Sequence, residues 1–104
     1  MTTVRFALDV RLAGPLDQER LTLLRDRLDM RRRGRLGDAE DEIFGSRAVG
    51  EGDTAAELTL VRWPNERWQV TVTYRGAPPA PQVLAELETQ IRTAAAEAGL
   101  RVEG

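Results

Sequence analysis

The chain predicts a two-layer α+β plait, with elements in the order β-α-β-β-α and an optional short final β. Its sheet is antiparallel, with both helices on one face. Three observations lead there. "VRFALDVRL" alternates apolar and polar residues without a fault, as a strand with one buried face does. Two stretches, "LDQERLTLLRDRLDM" and "PQVLAELETQIRTAAAEAG", repeat apolar residues every three or four positions, as amphipathic helices do. Between them, "AELTLVRW" and "RWQVTVTYRG" alternate on either side of a short polar turn, which is the mark of a hairpin. A sheet with one apolar face and two amphipathic helices bury those faces against each other in two layers.

In the first strand Val4, Phe6, Leu8, Val10 and Leu12 share the inward face, leaving Arg5, Ala7, Asp9 and Arg11 outside. Gly14-Pro15 ends it. Asp17 suits the N-cap or first turn of the first helix, and Leu21, Leu24 and Leu28 form its stripe. The arginines at 20, 25, 27 and 31 fall off that line and lean toward solvent. Residues 31–53 read as an irregular charged segment. Within it Asp38 can cap a short turn closed by Gly45, or an extra edge strand can form around Ile43–Val49; Ile43 and Phe44 pin the segment to the core. Pro81 opens the second helix, Gly99 closes it with Leu100 packed after the cap, and "LRVEG" allows the short last strand.

The turn in "RWPNERWQ" is decided by parity. Residues opposite one another in a ladder share a face. A two- or four-residue loop pairs numbers summing to 131 and sets Leu60 against Thr71, splitting the apolar face. A three- or five-residue loop gives a sum of 130 or 132, putting even-numbered residues inward and odd-numbered ones outward. Pro64-Asn65 suits the centre of a type I turn within such a loop. Trp68 is then a core residue, and Trp63 lies on the other face. That open face carries Arg5, Arg11, Thr59, Val61, Trp63, Gln69, Thr71, Thr73 and Arg75. The arrangement resembles the ferredoxin-like plait in architecture alone, which implies little about activity. No particular family is recognised in the residues.

Composition narrows the chemistry. The 104 residues are read as a single domain, 1–104. There is no cysteine and no histidine, and all 15 basic residues are arginine. Imidazole bases, cysteine nucleophiles, Schiff-base lysines and the usual zinc ligands are therefore missing. No metal site and no cofactor is expected: Glu40, Asp41 and Glu42 do not follow the spacing of a calcium loop, and "GRLGDAE" lacks the lysine and preceding strand of a phosphate loop. No apolar run approaches the ~20 residues of a membrane helix, and a cytoplasmic location with no membrane partner is the expectation.

The functional expectation is a small non-catalytic protein–protein interaction module, of an accessory, immunity-like or regulatory kind. It uses the open face around Trp63, Val61, Arg75 and Arg5, and its partner is a second copy or another protein. Tryptophan and arginine are the residue types most enriched at interface hot spots. One alternative is nucleic-acid or other anion contact through Arg31, Arg32, Arg33 and Arg35. Residues 20–35 carry a net +5, set against −5 over 38–53, and a cationic helix C-terminus is ordinary in itself. The other alternative is a small-molecule-binding or enzymatic dimer with a pocket on the sheet face, using carboxylate or tyrosine chemistry.

Overall fold

The computed structural model describes residues 4–37, 39–49 and 55–103. Its elements are β1 (Arg5–Ala13), α1 (Gln18–Arg27), β2 (Arg31–Arg32), β3 (Ile43–Val49), β4 (Ala55–Trp63), β5 (Arg67–Arg75), α2 (Pro81–Glu97) and β6 (Arg101–Glu103). The strands form an open antiparallel sheet in the order β2-β3-β4-β5-β1-β6. The protein is thus α+β with two helices, and the sheet is wider than the four-stranded one expected. The added strands are β2 and β3, in the segment read as irregular. The alternative of an added strand at Ile43–Val49 holds, but β2 rather than β3 takes the edge, and Gly45 lies inside β3 rather than closing a turn. Asp38 and the stretch 50–54 lie outside the described residues.

The β4–β5 hairpin pairs residues whose numbers sum to 130, with Leu58 opposite Val72 and Leu60 opposite Val70. These four side chains are fully buried and join Leu21, Leu24, Leu87 and Ile91 from the helices in one core cluster. Both helices therefore lie against the even-numbered face. Each fully buried Leu, Ile or Val contributes roughly 1.5–3 kcal/mol relative to exposure. The three-residue loop Pro64–Glu66 is not a type I turn on Pro64-Asn65. Asn65 and Glu66 have φ of 64° and 58°, and a type I turn needs a negative φ at its second central residue.

Helix ends follow the sequence closely. The Asp17 carboxylate accepts the Arg20 backbone N–H at 2.8 Å, an N-cap worth about 1 kcal/mol. Pro81 begins α2. At its other end Leu100 N–H donates to the Ala95 carbonyl (2.9 Å) and Gly99 N–H to that of Ala96 (3.1 Å). Gly99, at φ 75°, makes this Schellman closure, and Leu100 is buried behind it.

Further expectations are overturned. In β1 the pairing with β5 slips between Phe6 and Leu8: Phe6 faces Thr73 while Leu8 faces Val72. Ala7 is the extra residue of a β-bulge, which reverses the facing of everything before it. Phe6 therefore turns to the open face and is 68% exposed, while Arg5, opposite Tyr74, moves to the helix side. A second bulge, between Ile43 and Gly45, buries Phe44 completely and sends Ile43 outward beside Val61.

The other reversal is Arg25, which is buried rather than solvated, at 4% exposure. Its guanidinium donates to the Phe44 carbonyl at 3.3 Å. Burial lowers its pKa, the nearby Arg32 cation lowers it further, and Asp26 opposes both. For a base, a lowered folded-state pKa means that folding is penalised wherever the unfolded chain is protonated, and relieved only as pH rises through the folded value. Arginine stays protonated throughout the working pH range, so substitution rather than pH relieves the penalty. Arg25→Met should keep the packing and drop the buried charge; the Phe44 carbonyl still accepts from Arg33 N–H at 3.3 Å. We expect no loss of stability, and a gain on the order of 1 kcal/mol in urea denaturation.

Candidate functional site

The sheet has one face covered by helices. Among the described residues, nothing covers the other. Strand pairing places on it Ile43 and Ser46 from β3, Glu57, Thr59, Val61 and Trp63 from β4, Arg67, Gln69, Thr71, Thr73 and Arg75 from β5, and Phe6, Asp9 and Arg11 from β1. Its middle is flat. Thr59 and Thr71 sit opposite each other and are buried between longer neighbours.

Trp63 ends β4 and is 52% exposed. Its indole N–H donates to Gln69 Oε1 at 2.8 Å, and Gln69 Nε2 donates to Asp9 Oδ1 at 2.7 Å. Asp9 also lies 3.8 Å from the Arg11 guanidinium. This chain of polar contacts runs across three strands and satisfies the one polar atom of Trp63. What the ring offers a partner is therefore apolar surface already held in one orientation, at little entropic cost. Val61, half-buried, lies two positions before it, and Ile43, 39% exposed, faces Val61 from β3. The three make one apolar patch at the hairpin end. A hollow of about 360 Å³ adjoins it, lined by Arg11, Trp63, Arg67, Gln69 and Glu103, with Arg67 tied to Glu103 at 3.3 Å.

Of the residues singled out from sequence, Trp63 and Val61 come together. Arg75 is on the same face at the far end of β5, and Arg5 is on the opposite face. Phe6 and Ile43 were missed, because both owe their exposure to bulges and neither bulge has a sequence mark such as a glycine at the extra position. The second apolar point of the face is Phe6 with Val4, near a hollow of about 360 Å³ lined by Val4, Ala56, Glu57, Thr73, Tyr74 and Arg75.

The arginine run does not form one patch. Arg31 lies opposite Ser46 and shares the open face, whereas Arg32 lies opposite Gly45 on the helix side. Arg33 and Arg35 are exposed beyond β2. The acidic block reaches this region through Asp41, whose carboxylate accepts the Arg35 backbone N–H at 2.8 Å.

A larger cavity of about 660 Å³ opens at the hairpin end, between the turn, Pro15–Asp17 and residues 36, 37, 39, 41 and 42. Arg62, opposite Trp68 and so on the helix side, shapes it. Its guanidinium lies 4.6 Å from the Phe44 ring centre and donates to the carbonyls of Leu36 (3.3 Å) and Asp41 (2.7 Å). These contacts tie Leu36 and Asp41 to the sheet, and this role for Arg62 is structural.

Among the described residues no helix is long and apolar enough to cross a membrane. Comparison with protein-family models, curated proteins and solved structures finds no match to this chain.

Proposed function

We propose that the protein is a non-catalytic interaction module that binds another protein surface through the open face of its sheet, with Trp63 as the anchor. The observation that carries this reading is a half-exposed Trp63 whose ring is fixed by the Gln69–Asp9 chain, beside Val61 and Ile43. A rigid aromatic anchor in an apolar patch with a polar surround is the usual anatomy of an interface hot spot. We read β6-β1-β5-β4 with α1 and α2 as a plait of the ferredoxin-like kind, widened at one edge by β3 and β2. The widening enlarges the open face.

Trp63→Ser tests the reading. The isolated fold should be unchanged by circular dichroism, because the side chain is outside the core. Native mass, or recovery of a partner from the source cell, should change: loss of an anchor of this type weakens binding by about 2 kcal/mol or more. Unchanged mass and an unchanged set of partners would remove the proposal.

The nucleic-acid reading has less support. Strand alternation sends Arg31 and Arg32 to opposite faces, which divides the charge that would have to track one backbone. Titration with a generic oligonucleotide at low salt separates the two readings: tight, salt-sensitive binding lost in Arg31→Glu would favour nucleic acid.

A further inference from the structure

The open face has an internal symmetry that its sequence does not announce. Take the Thr59–Thr71 pair as its midline. Trp63 stands four residues to one side of that line on β4, and Arg75 stands four residues to the other side on β5. Phe6 is level with Thr73, two residues beyond the line, and Arg11 is level with Gln69, two residues before it. Each end thus carries one protruding apolar ring and one hollow, and the two hollows have the same volume, about 360 Å³. Between them Thr59 and Thr71 are buried below their longer neighbours.

We propose, resting on the interaction-face reading above, that the surface seated on this face is a second copy of this chain. The two copies pack sheet to sheet about a two-fold axis that lies between the sheets, across the strands and over Thr59–Thr71. Such an axis carries every position to the one equally far beyond the midline on the same strand. The Trp63 ring of each copy then enters the hollow beside Arg75 of the other, and Phe6 enters the hollow beside Arg11. Both rings gain a guanidinium neighbour of the kind that forms cation–π contacts. A face whose knobs match its own hollows is what an isologous interface requires.

Charge sets a cost on the pairing, since the axis brings Arg67 level with Arg75 of the other copy and sets Asp9 and Arg31 each level with its own counterpart. Arg67 is 3.3 Å from Glu103 and Asp9 is 3.8 Å from Arg11, so two of these charges are already countered within each copy. Size permits the pairing. The molecule measures 36 × 27 × 22 Å, and the sheet forms one whole side of it, enough for the ~800 Å² per partner of a standard interface. The β1 bulge gains a purpose here, since bulges re-aim side chains. Without it Phe6 would point into the helix layer, and the Arg11 hollow would lack its occupant.

Light scattering at micromolar concentration should give a dimer for the wild-type chain. Trp63→Ser and Phe6→Ser should each raise the dimer dissociation constant at least about tenfold with circular dichroism unchanged. The chain has no cysteine, so single cysteines can carry spin labels cleanly. Arg31→Cys, on the rim level with the midline, should give a short inter-label distance, set by the ~10 Å sheet separation and the label arms. Arg92→Cys, on α2 behind the sheet, should give a long one.

A wild-type monomer overturns the second-copy proposal; the interaction-face reading survives that result if Trp63→Ser still abolishes binding of another protein. A dimer indifferent to Phe6→Ser, or one with distant Arg31 labels, overturns the two-fold arrangement. A dimer indifferent to both ring substitutions overturns the second-copy proposal, and the interaction-face reading falls with it if the partners recovered with Trp63→Ser are also unchanged.

Discussion

Trp68→Ala should lower the unfolding free energy by about 3–5 kcal/mol, read as a fall in urea midpoint at unchanged slope. Trp68 is 4% exposed, and its ring meets Phe44 edge to face at 5.5 Å and 72°. Truncation would remove one wall of the site that holds Phe44, whose other ring face is taken by Arg62. A cavity flanked by two such rigid partners collapses poorly, which places the cost toward the upper end of the range. Trp68→Phe should be much milder, about 1–2 kcal/mol. Among the described residues the buried indole Nε1 finds no acceptor, and removing an unsatisfied donor recovers part of the lost packing. Trp63→Ala should stay within about 0.5 kcal/mol in the monomeric protein. Two tryptophans five positions apart then separate cleanly, one in stability and the other in association.

Gly34→Ala should cost roughly 2–5 kcal/mol. Gly34 has φ 69°, and a Cβ there would stand 2.5 Å from the Ile43 carbonyl oxygen. The left-handed conformation costs a non-glycine residue about 1–2 kcal/mol. The clash adds a packing penalty of about 1–3 kcal/mol, since the neighbour is strand backbone and cannot swing aside. The displaced segment is the one that docks β2 on β3, including Arg33 N–H on the Phe44 carbonyl. Gly37→Ala is the control. Among the described residues no atom lies within 4 Å of a Cβ there and its φ is not in the left-handed region, so its midpoint should match the wild type. Equal losses at both positions would show that loop entropy, and not the Gly34 geometry, sets the effect.

Much of the fold was legible because it depends on short-range rules. Asp17, Pro81 and Gly99 mark helix ends through bonds made within a turn or two, and all three occupy those places. The hairpin register followed from parity, since slipping one residue would move Leu58 and Leu60 off the core face. Of the nine residues assigned to the open face, only Arg5 moved. The errors of facing share one cause. Phe6, Ile43 and Arg5 are displaced by bulges, and a bulge inserts one residue where partner strands must be brought into step with each other. Arg25 fails for a related reason. The position looks polar on a helical wheel, yet the added strand β3 lies over it and its guanidinium reaches the Phe44 carbonyl.

By itself, the sequence determined the two helices and their caps, the hairpin with Trp68 inward and Trp63 outward, and the absence of histidine, cysteine and lysine chemistry. Those are matters of composition and of local periodicity, which no distant contact can rewrite cheaply. Tertiary structure alone decided the six-strand width, the burial of Arg25, and above all the turning of Phe6 onto the face that holds Trp63. These depend on how strands far apart in the chain fit side by side, where one unpaired residue reverses the facing of all those before it.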